Sequence, residues 1–167
     1  MKSKKTLLII DMQPEFKSPS SKGKIKPVCN LIKLAKKRNW DIVNVLYDIK
    51  ELCFSVEASK TRAFPEIRRE LRGYDKYETI IKGDCDGGRE VVEHLQELKI
   101  TSQDIIVCGC YADQCVLETL QSIRELLPKI KITAVKKAMQ PCYEYPTKEY
   151  KKISVKFHQG TYISLTL

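Results

Sequence analysis

The segment from Thr6 to Asp11 is a run of four large aliphatic residues that ends in a carboxylate. A strand that is apolar at every position, rather than at every second one, is buried on both faces. Such strands are typical of parallel sheets, because crossover connections place helices on both sides of the sheet. The segment therefore predicts an α/β protein with a parallel sheet and a carboxylate at the end of one strand.

Strand-like and helix-like segments alternate along the rest of the chain. The pattern predicts strands at 41–47, 78–81, 104–109, 131–135 and near 161–165, and helices at 24–38, 66–72, 89–98, 113–127 and 146–152. This alternation is typical of a doubly wound sheet that is flanked by helices. Because 167 residues give too little interior for two domains, we expect a single domain over 1–167.

The sequence gives no sign of a membrane or of an export signal. No apolar run approaches the ~18 residues of a membrane span. The first apolar stretch is too short for the core of a signal peptide, and no small-residue cleavage site follows it. We therefore expect a cytoplasmic protein with no membrane partner.

The net charge of +9 is unevenly distributed, with +9 over residues 1–38, −6 over 39–128 and +6 over 129–167. A basic surface can attract nucleic acid or small anions. Here the lysines are scattered, only residues 36–38 form a basic run, and no aromatic residues are interleaved with arginines. A solvated, lysine-rich surface is the simpler interpretation, and we expect no nucleic-acid partner.

The chain has seven cysteines and two histidines. An odd number of cysteines in a chain without an export signal does not indicate a disulfide framework, so we expect reduced thiols. Most of them are expected to fill space as small hydrophobic residues. With so few histidines, most histidine-based chemistry is nearly excluded.

Three reactive side chains follow predicted strands, namely Asp11, Lys82 and Cys115. Ligands bind outside the carboxyl ends of the strands in open α/β sheets. A thiol at a helix N-terminus beside an ammonium group has its thiolate favoured, and a nearby carboxylate can take its proton. Taken alone, each residue also has an ordinary role: a turn cap, a solvent-facing lysine, a core cysteine. The combination predicts a nucleophile, a base and an electrostatic partner in one site.

The segments around these residues carry recognisable motifs: Leu-Ile-Ile-Asp11-Met-Gln13-Pro-Glu-Phe16, then Ile-Ile-Lys82, then Gly109-Cys-Tyr-Ala-Asp-Gln-Cys115-Val-Leu-Glu-Thr. Their order and spacing over about residues 5–135 resemble the isochorismatase-like cysteine hydrolase superfamily, with its isochorismatase, nicotinamidase and N-carbamoylsarcosine amidohydrolase members. The resemblance implies a catalytic triad of Asp11, Lys82 and Cys115. It also implies strand order 3-2-1-4-5-6 and a tendency to form dimers or tetramers.

The same resemblance implies further site residues. A non-proline cis peptide is expected between Cys110 and Tyr111, which would turn the amide of Tyr111 toward the nucleophile to hold an oxyanion together with the amide of Cys115. The substrate pocket is expected to include Gln13, Phe16 and, from the glycine-rich loop at 83–88, Asp86. The implied reaction is cleavage of a small amide, ureido or carbamoyl C–N bond through a thioester, without a cofactor.

The sequence departs from the family pattern at three places. Nicotinamidases carry an Asp-x-His motif and a further histidine that bind a metal, whereas here Asp48 is followed by Ile49 and Lys50, and no histidine precedes residue 94. We therefore expect no metal. The loop at 83–88 lacks the usual aromatic residue, which is expected to open the pocket, and Lys136-Lys137 replaces the usual acidic residue after the fifth strand.

Other functions remain open at this stage. The fold can serve as a catalytically silent scaffold, and a vinyl-ether hydrolase of the isochorismatase type is a second alternative. Cys108, Cys110 and Cys115, with Cys85 or Cys142, could in principle ligate zinc, but their spacing matches no common zinc knuckle. A redox pair of Cys110 and Cys115 lacks the C-x-x-C spacing.

Overall fold

The fold is built on a six-stranded parallel sheet. A computed structural model describes residues 5–48, 61–99 and 104–160. The strands are β1 (Lys5–Ile10), β2 (Asp41–Tyr47), β3 (Tyr77–Lys82), β4 (Asp104–Cys110), β5 (Lys131–Gln140) and β6 (Val155–His158). Their order is β3-β2-β1-β4-β5-β6, and every neighbouring pair is parallel. This confirms the predicted fold class and strand order.

Helices cover both faces of the sheet. They are α1 (Lys17–Ser21), α2 (Ile25–Lys37), α3 (Pro65–Leu71), α4 (Gly88–Glu97), α5 (Cys115–Leu126) and α6 (Thr147–Lys152). Residues of α2 and α3 pack with one face of β1, and residues of α4, α5 and α6 pack with the other. β1 is apolar throughout because it contributes to both cores, Leu7 and Ile9 to the first and Leu8 and Ile10 to the second.

The last third of the chain departs most from the sequence-based expectation. The sixth strand is Val155–His158, which pairs with β5; the predicted position near 161–165 lies outside the described residues. β5 is longer than expected and bulges, since Val107 pairs with Ala134 but Gly109 pairs with Met139. The two lysines at 136–137 therefore lie inside β5, within the bulge, and not after the strand. The short helix α1 was not predicted.

No helix in the described part of the chain combines the length and the apolar character that crossing a bilayer requires.

Candidate active site

The candidate site lies where β1 and β4 end side by side. Asp11 follows β1 with a left-handed backbone (φ 51°), and its amide donates to the Val45 carbonyl at 2.9 Å. On the neighbouring strand, Gly109 has φ 132°, and a Cβ there would lie 2.0 Å from the Ile10 carbonyl oxygen. Only glycine lets β4 approach β1 this closely. The two strand ends are thus held together where the reactive side chains begin.

Asp11 and Lys82 form a buried ion pair. Lys82 Nζ lies 2.9 Å from Asp11 Oδ2, and the two side chains are 0% and 1% exposed. The ammonium also donates to the Cys85 carbonyl oxygen at 2.5 Å. It lies over the ring of Tyr47, 5.5 Å from the ring centroid. A buried lysine requires such partners, because the ammonium has given up its water.

Cys115 is the first residue of α5 and is 5% exposed. Its thiol lies close enough to the Asp11 carboxylate for each group to change the pKa of the other. The position at the helix N-terminus is the one that the sequence predicts, and it exposes the sulfur to the positive end of a 12-residue helix. The three side chains that the sequence singles out are therefore brought together around one carboxylate.

Burial dominates the protonation of this group. Desolvation raises the pKa of Asp11 above its ordinary value, although the Lys82 ammonium and the neighbouring Cys115 thiol lower it. Desolvation also raises the pKa of Cys115 to about 12, with Lys82 lowering it and Asp11 raising it. Burial therefore opposes the thiolate that the helix terminus and the Lys82 ammonium favour, and its effect on the pKa of Cys115 is the larger one.

The segment before α5 contributes backbone groups. The peptide bond between Cys110 and Tyr111 is cis. The Tyr111 carbonyl accepts hydrogen bonds from Gln114 at 3.0 Å and from Val116 at 3.1 Å, and so fixes the start of the helix. The buried Cys110 thiol donates to the Asp11 carbonyl oxygen at 2.9 Å, which ties the two strand ends together once more.

Phe16 and Tyr111 form an aromatic pair at this edge of the sheet. Their ring centroids are 5.8 Å apart and their planes are nearly perpendicular, at 89°. Both rings are partly buried against the core on the α2 side. Phe16 thus lies beside Tyr111, in the segment that leads to Cys115.

Gln13 serves a different purpose from the one predicted. Its side-chain nitrogen donates to the Tyr47 carbonyl at 3.0 Å, and its side-chain oxygen accepts from the Tyr47 amide at 2.7 Å. The residue is fully buried. Both polar ends of the amide are therefore used to join the turn after β1 to the end of β2, so Gln13 is corrected from a pocket residue to a clamp.

Asp86 also turns away from the predicted role. One of its oxygens accepts from the Gly88 amide at 2.7 Å, and the other accepts from the Ser122 hydroxyl. The carboxylate thus caps the start of α4 and connects it to α5. At Gly88 a Cβ would lie 2.5 Å from the Ser122 Cβ, so this end of the loop packs closely against α5.

Two residues near the site were given no role by the sequence. Tyr47 ends β2 and supplies the ring beneath Lys82, and its backbone lowers the pKa of Asp11. Asp113, two residues before Cys115, accepts from the amides of Cys142 at 2.6 Å and Tyr143 at 2.8 Å and so anchors the loop after β5. Asp113 belongs to the motif around Cys115, and that motif could have identified it from the sequence. For Tyr47 the only indication in the sequence was its position at the end of a strand.

The donor set for a metal does not assemble in the described part of the chain. No cluster of three His, Cys, Asp or Glu side chains suited to a metal ion occurs within residues 5–48, 61–99 and 104–160. The two histidines belong to α4 and β6, and Ile49 and Lys50 lie outside the described residues. The residues present do not fit the histidine-based metal site that nicotinamidases carry.

A family model described as the isochorismatase domain matches residues 5–127. Among solved structures, an N-carbamoylsarcosine amidase from Thermoplasma acidophilum is 17% identical with a TM-score of 0.73, covering 95% of this chain and 99% of that chain. A nicotinamidase from Staphylococcus aureus is 16% identical with a TM-score of 0.72, covering 94% and 98%. An isochorismatase from Pseudomonas putida is 17% identical with a TM-score of 0.67, covering 92% and 86%. At these identities the likeness shows a shared fold. A search of the curated proteins found no match.

Proposed function

The chain belongs to the isochorismatase domain family, and we propose that it is a cysteine hydrolase that cleaves the C–N bond of a small amide, ureido or carbamoyl compound. One observation carries this proposal: the buried contact of Asp11 with both Lys82 and Cys115. A thiol, a carboxylate and an ammonium that share one dry site form a nucleophile, a base and a charge partner. The carbamoyl class is supported by the likeness to a structure named as an N-carbamoylsarcosine amidase.

In the proposed reaction, Asp11 takes the thiol proton of Cys115 as the sulfur attacks the carbonyl carbon. The Lys82 ammonium stabilises the single negative charge as it moves from the Asp11 carboxylate to the sulfur, and the attack then passes that charge to the carbonyl oxygen. Asp11 passes the proton to the departing nitrogen, which leaves as ammonia or an amine. The acyl group stays on sulfur as a thioester, and water hydrolyses it with Asp11 again acting as the base.

The oxyanion of the tetrahedral intermediate needs donors, and we assign the backbone amides of Tyr111 and Cys115 to it. Neither amide donates to another group of the protein within the described residues. Cys115 is the first residue of α5, where the helix dipole also favours negative charge, and Tyr111 precedes it by four residues. We assign Phe16 and the ring of Tyr111, whose centroids are 5.8 Å apart, to an apolar wall of the substrate pocket.

We propose further that the reaction needs no metal. The chain has Ile49 and Lys50 after Asp48, and it has no histidine before residue 94. The donors of the nicotinamidase metal site are therefore missing from the sequence itself. Activity that survives a chelator, together with elemental analysis that finds no stoichiometric zinc, iron or manganese, is the expected result.

The deciding experiment is a screen of small amides, ureas and carbamoyl compounds for release of ammonia or amine. The wild-type chain is compared with Cys115→Ala, with Asp11→Asn and with Cys142→Ala, which removes an exposed thiol outside the triad. We expect turnover in the wild type and in Cys142→Ala, and none in the other two variants. Equal release by wild type and Cys115→Ala would contradict the role of Cys115. No release from any compound would favour a catalytically silent protein on this fold.

A further inference from the structure

Lys82 is held in place from several sides, and one of its contacts is assigned no role by the triad. We propose that Tyr47 is a positioning residue, whose ring face holds the Lys82 ammonium against Asp11 and Cys115. The proposal rests on the proposed function only in taking Cys115 as the nucleophile and Asp11 as its base.

The contacts of the ammonium support this assignment. Lys82 Nζ lies 2.9 Å from Asp11 Oδ2 and 2.5 Å from the Cys85 carbonyl oxygen, and it lies over the Tyr47 ring at 5.5 Å from the centroid. A cation within about 6 Å of an aromatic face is attracted by the negative potential of the ring, and more strongly when water is excluded. Lys82 is 0% exposed, so the ring replaces water on this side of the ammonium.

The position of the Tyr47 ring relative to Lys82 is fixed by strand pairing and by hydrogen bonds. Tyr47 and Lys82 are direct neighbours in the pairing of β2 with β3, so their side chains leave the sheet on the same face. The Tyr47 backbone is fixed by Gln13, whose side chain accepts from its amide at 2.7 Å and donates to its carbonyl at 3.0 Å. These two hydrogen bonds from Gln13 therefore fix the backbone from which the Tyr47 ring extends beneath the ammonium.

Gly87 confines the stem of the lysine from another direction. A Cβ at this position would lie 2.7 Å from Lys82 Cδ and 3.4 Å from Val45 Cγ1. The amide of Gly87 donates to the Thr119 hydroxyl at 3.1 Å, and Thr119 lies one turn after Cys115 on α5. The lysine is thus enclosed by β2 and by a loop that is bonded to the helix of the nucleophile.

The position of the ammonium has a consequence that can be measured. Lys82 lowers the pKa of Asp11 and of Cys115 against the larger effect of burial. If the ammonium moves away, both groups hold their protons more tightly. As the pH falls, Asp11 then becomes protonated at a higher pH than in the wild type, and the Cys115 thiol reacts more slowly.

The test compares Tyr47→Leu, Tyr47→Phe and Gly87→Ala with wild type and with Asp11→Asn. Alkylation of Cys115 by iodoacetamide is followed by peptide mass mapping between about pH 5 and pH 10, alongside the thermal midpoint of each variant. Tyr47→Leu and Gly87→Ala should slow alkylation of Cys115 roughly three- to tenfold at pH 8. They should also move its acid-side midpoint upward by about half a pH unit. Tyr47→Phe, which keeps the ring, should rescue both properties.

The inference is overturned if Tyr47→Leu keeps the wild-type rate and midpoint, or if Tyr47→Phe is as impaired as Tyr47→Leu. Should Tyr47→Leu fail to fold, Gly87→Ala decides, since a wild-type profile there contradicts a need for the lysine to be placed. The proposed function fails separately, if Asp11→Asn leaves the alkylation of Cys115 unchanged.

Discussion

Two ion pairs of this protein join a lysine to a carboxylate, yet their surroundings differ completely. Lys82 and Asp11 are 2.9 Å apart with side chains 0% and 1% exposed. Lys33 and Glu70, which connect α2 to α3, are 3.4 Å apart with side chains 62% and 22% exposed. The first pair is surrounded by protein groups that hold each partner, and the second is surrounded mainly by water.

The comparison shows what burial demands of an ion pair. An exposed pair gains little, because water screens the attraction and two flexible side chains lose entropy. A buried pair has lost its water, so each charge depends on its partner and on further dipoles such as the Cys85 carbonyl and the Tyr47 ring. The same two residue types therefore form a surface contact in one place and a reactive centre in the other.

The largest expected effect is that of Lys82→Ala. Removal of the ammonium leaves the Asp11 carboxylate buried without its cation, which should destabilise the protein by about 3–5 kcal/mol at neutral pH. Urea denaturation measures this, with Lys82→Met as the variant that keeps most of the stem. The loss should shrink as the pH falls, because a protonated Asp11 needs no cation. A loss below about 1 kcal/mol in both variants would show that the burial of this pair does not set its energetics.

The pH dependence of turnover is expected to reflect the same burial. Because the pKa of Asp11 is raised, the rate should fall on the acid side at a pH above the ordinary carboxyl range. Because the pKa of Cys115 is raised to about 12, the species with ionised Asp11 and protonated thiol persists on the alkaline side, so the rate should stay flat up to about pH 10. Initial rates across this range measure both limbs. A tenfold rise per pH unit above pH 7 would mean that a preformed thiolate reacts, against the assignment of Asp11 as the base.

A carboxylate with neutral partners should lie between the two ion pairs in its effect. Asp86→Ala removes the acceptor for the Gly88 amide and the Ser122 hydroxyl, which should cost about 0.5–2 kcal/mol of stability with little change in turnover. Asp84→Ala is the control, since Asp84 is exposed and accepts only from the neighbouring Cys85 amide among the described contacts. A large loss of kcat with unchanged stability would return Asp86 to the site.

The smallest effect is expected at the surface. Lys33→Ala should change the free energy of unfolding by less than about 0.5 kcal/mol, and the change should vanish at high salt. Urea denaturation at low and at about 1 M salt measures both statements. A loss as large as that of Lys82→Ala would mean that exposure does not separate the two pairs.

The fold and the meeting of the three reactive residues were both accessible from sequence. β1 is apolar at every position because it feeds both cores, and this pattern alone predicts a parallel sheet. Because the carboxyl ends of parallel strands lie at one edge of the sheet, Asp11 and Lys82 could be placed at the same edge from chain order. The motif around Cys115 placed the thiol there as well. The assignment of roles to them remains a proposal.

The details that sequence missed depend on which groups find partners in space. Gln13 and Asp86 are polar residues beside a site, and nothing in the chain shows that Tyr47 and Ser122 satisfy them first. The direction of the Cys115 pKa depends on burial, which competes with the helix terminus and the lysine. The strand Val155–His158 was not predicted, because four residues, one of them the exposed Lys156, carry too short a pattern.

Gly109 sets how closely the ends of β1 and β4 approach each other. Its hydrogen stands where a methyl group would lie 2.0 Å from the Ile10 carbonyl oxygen. Asp11 directly follows β1, and the segment after β4 leads to Cys115. The distance between the two strands at this point therefore also sets the distance between those two segments. A single methyl group at residue 109 would therefore force β1 and β4 apart, and with them Asp11 and Cys115, without changing the chemistry of either side chain.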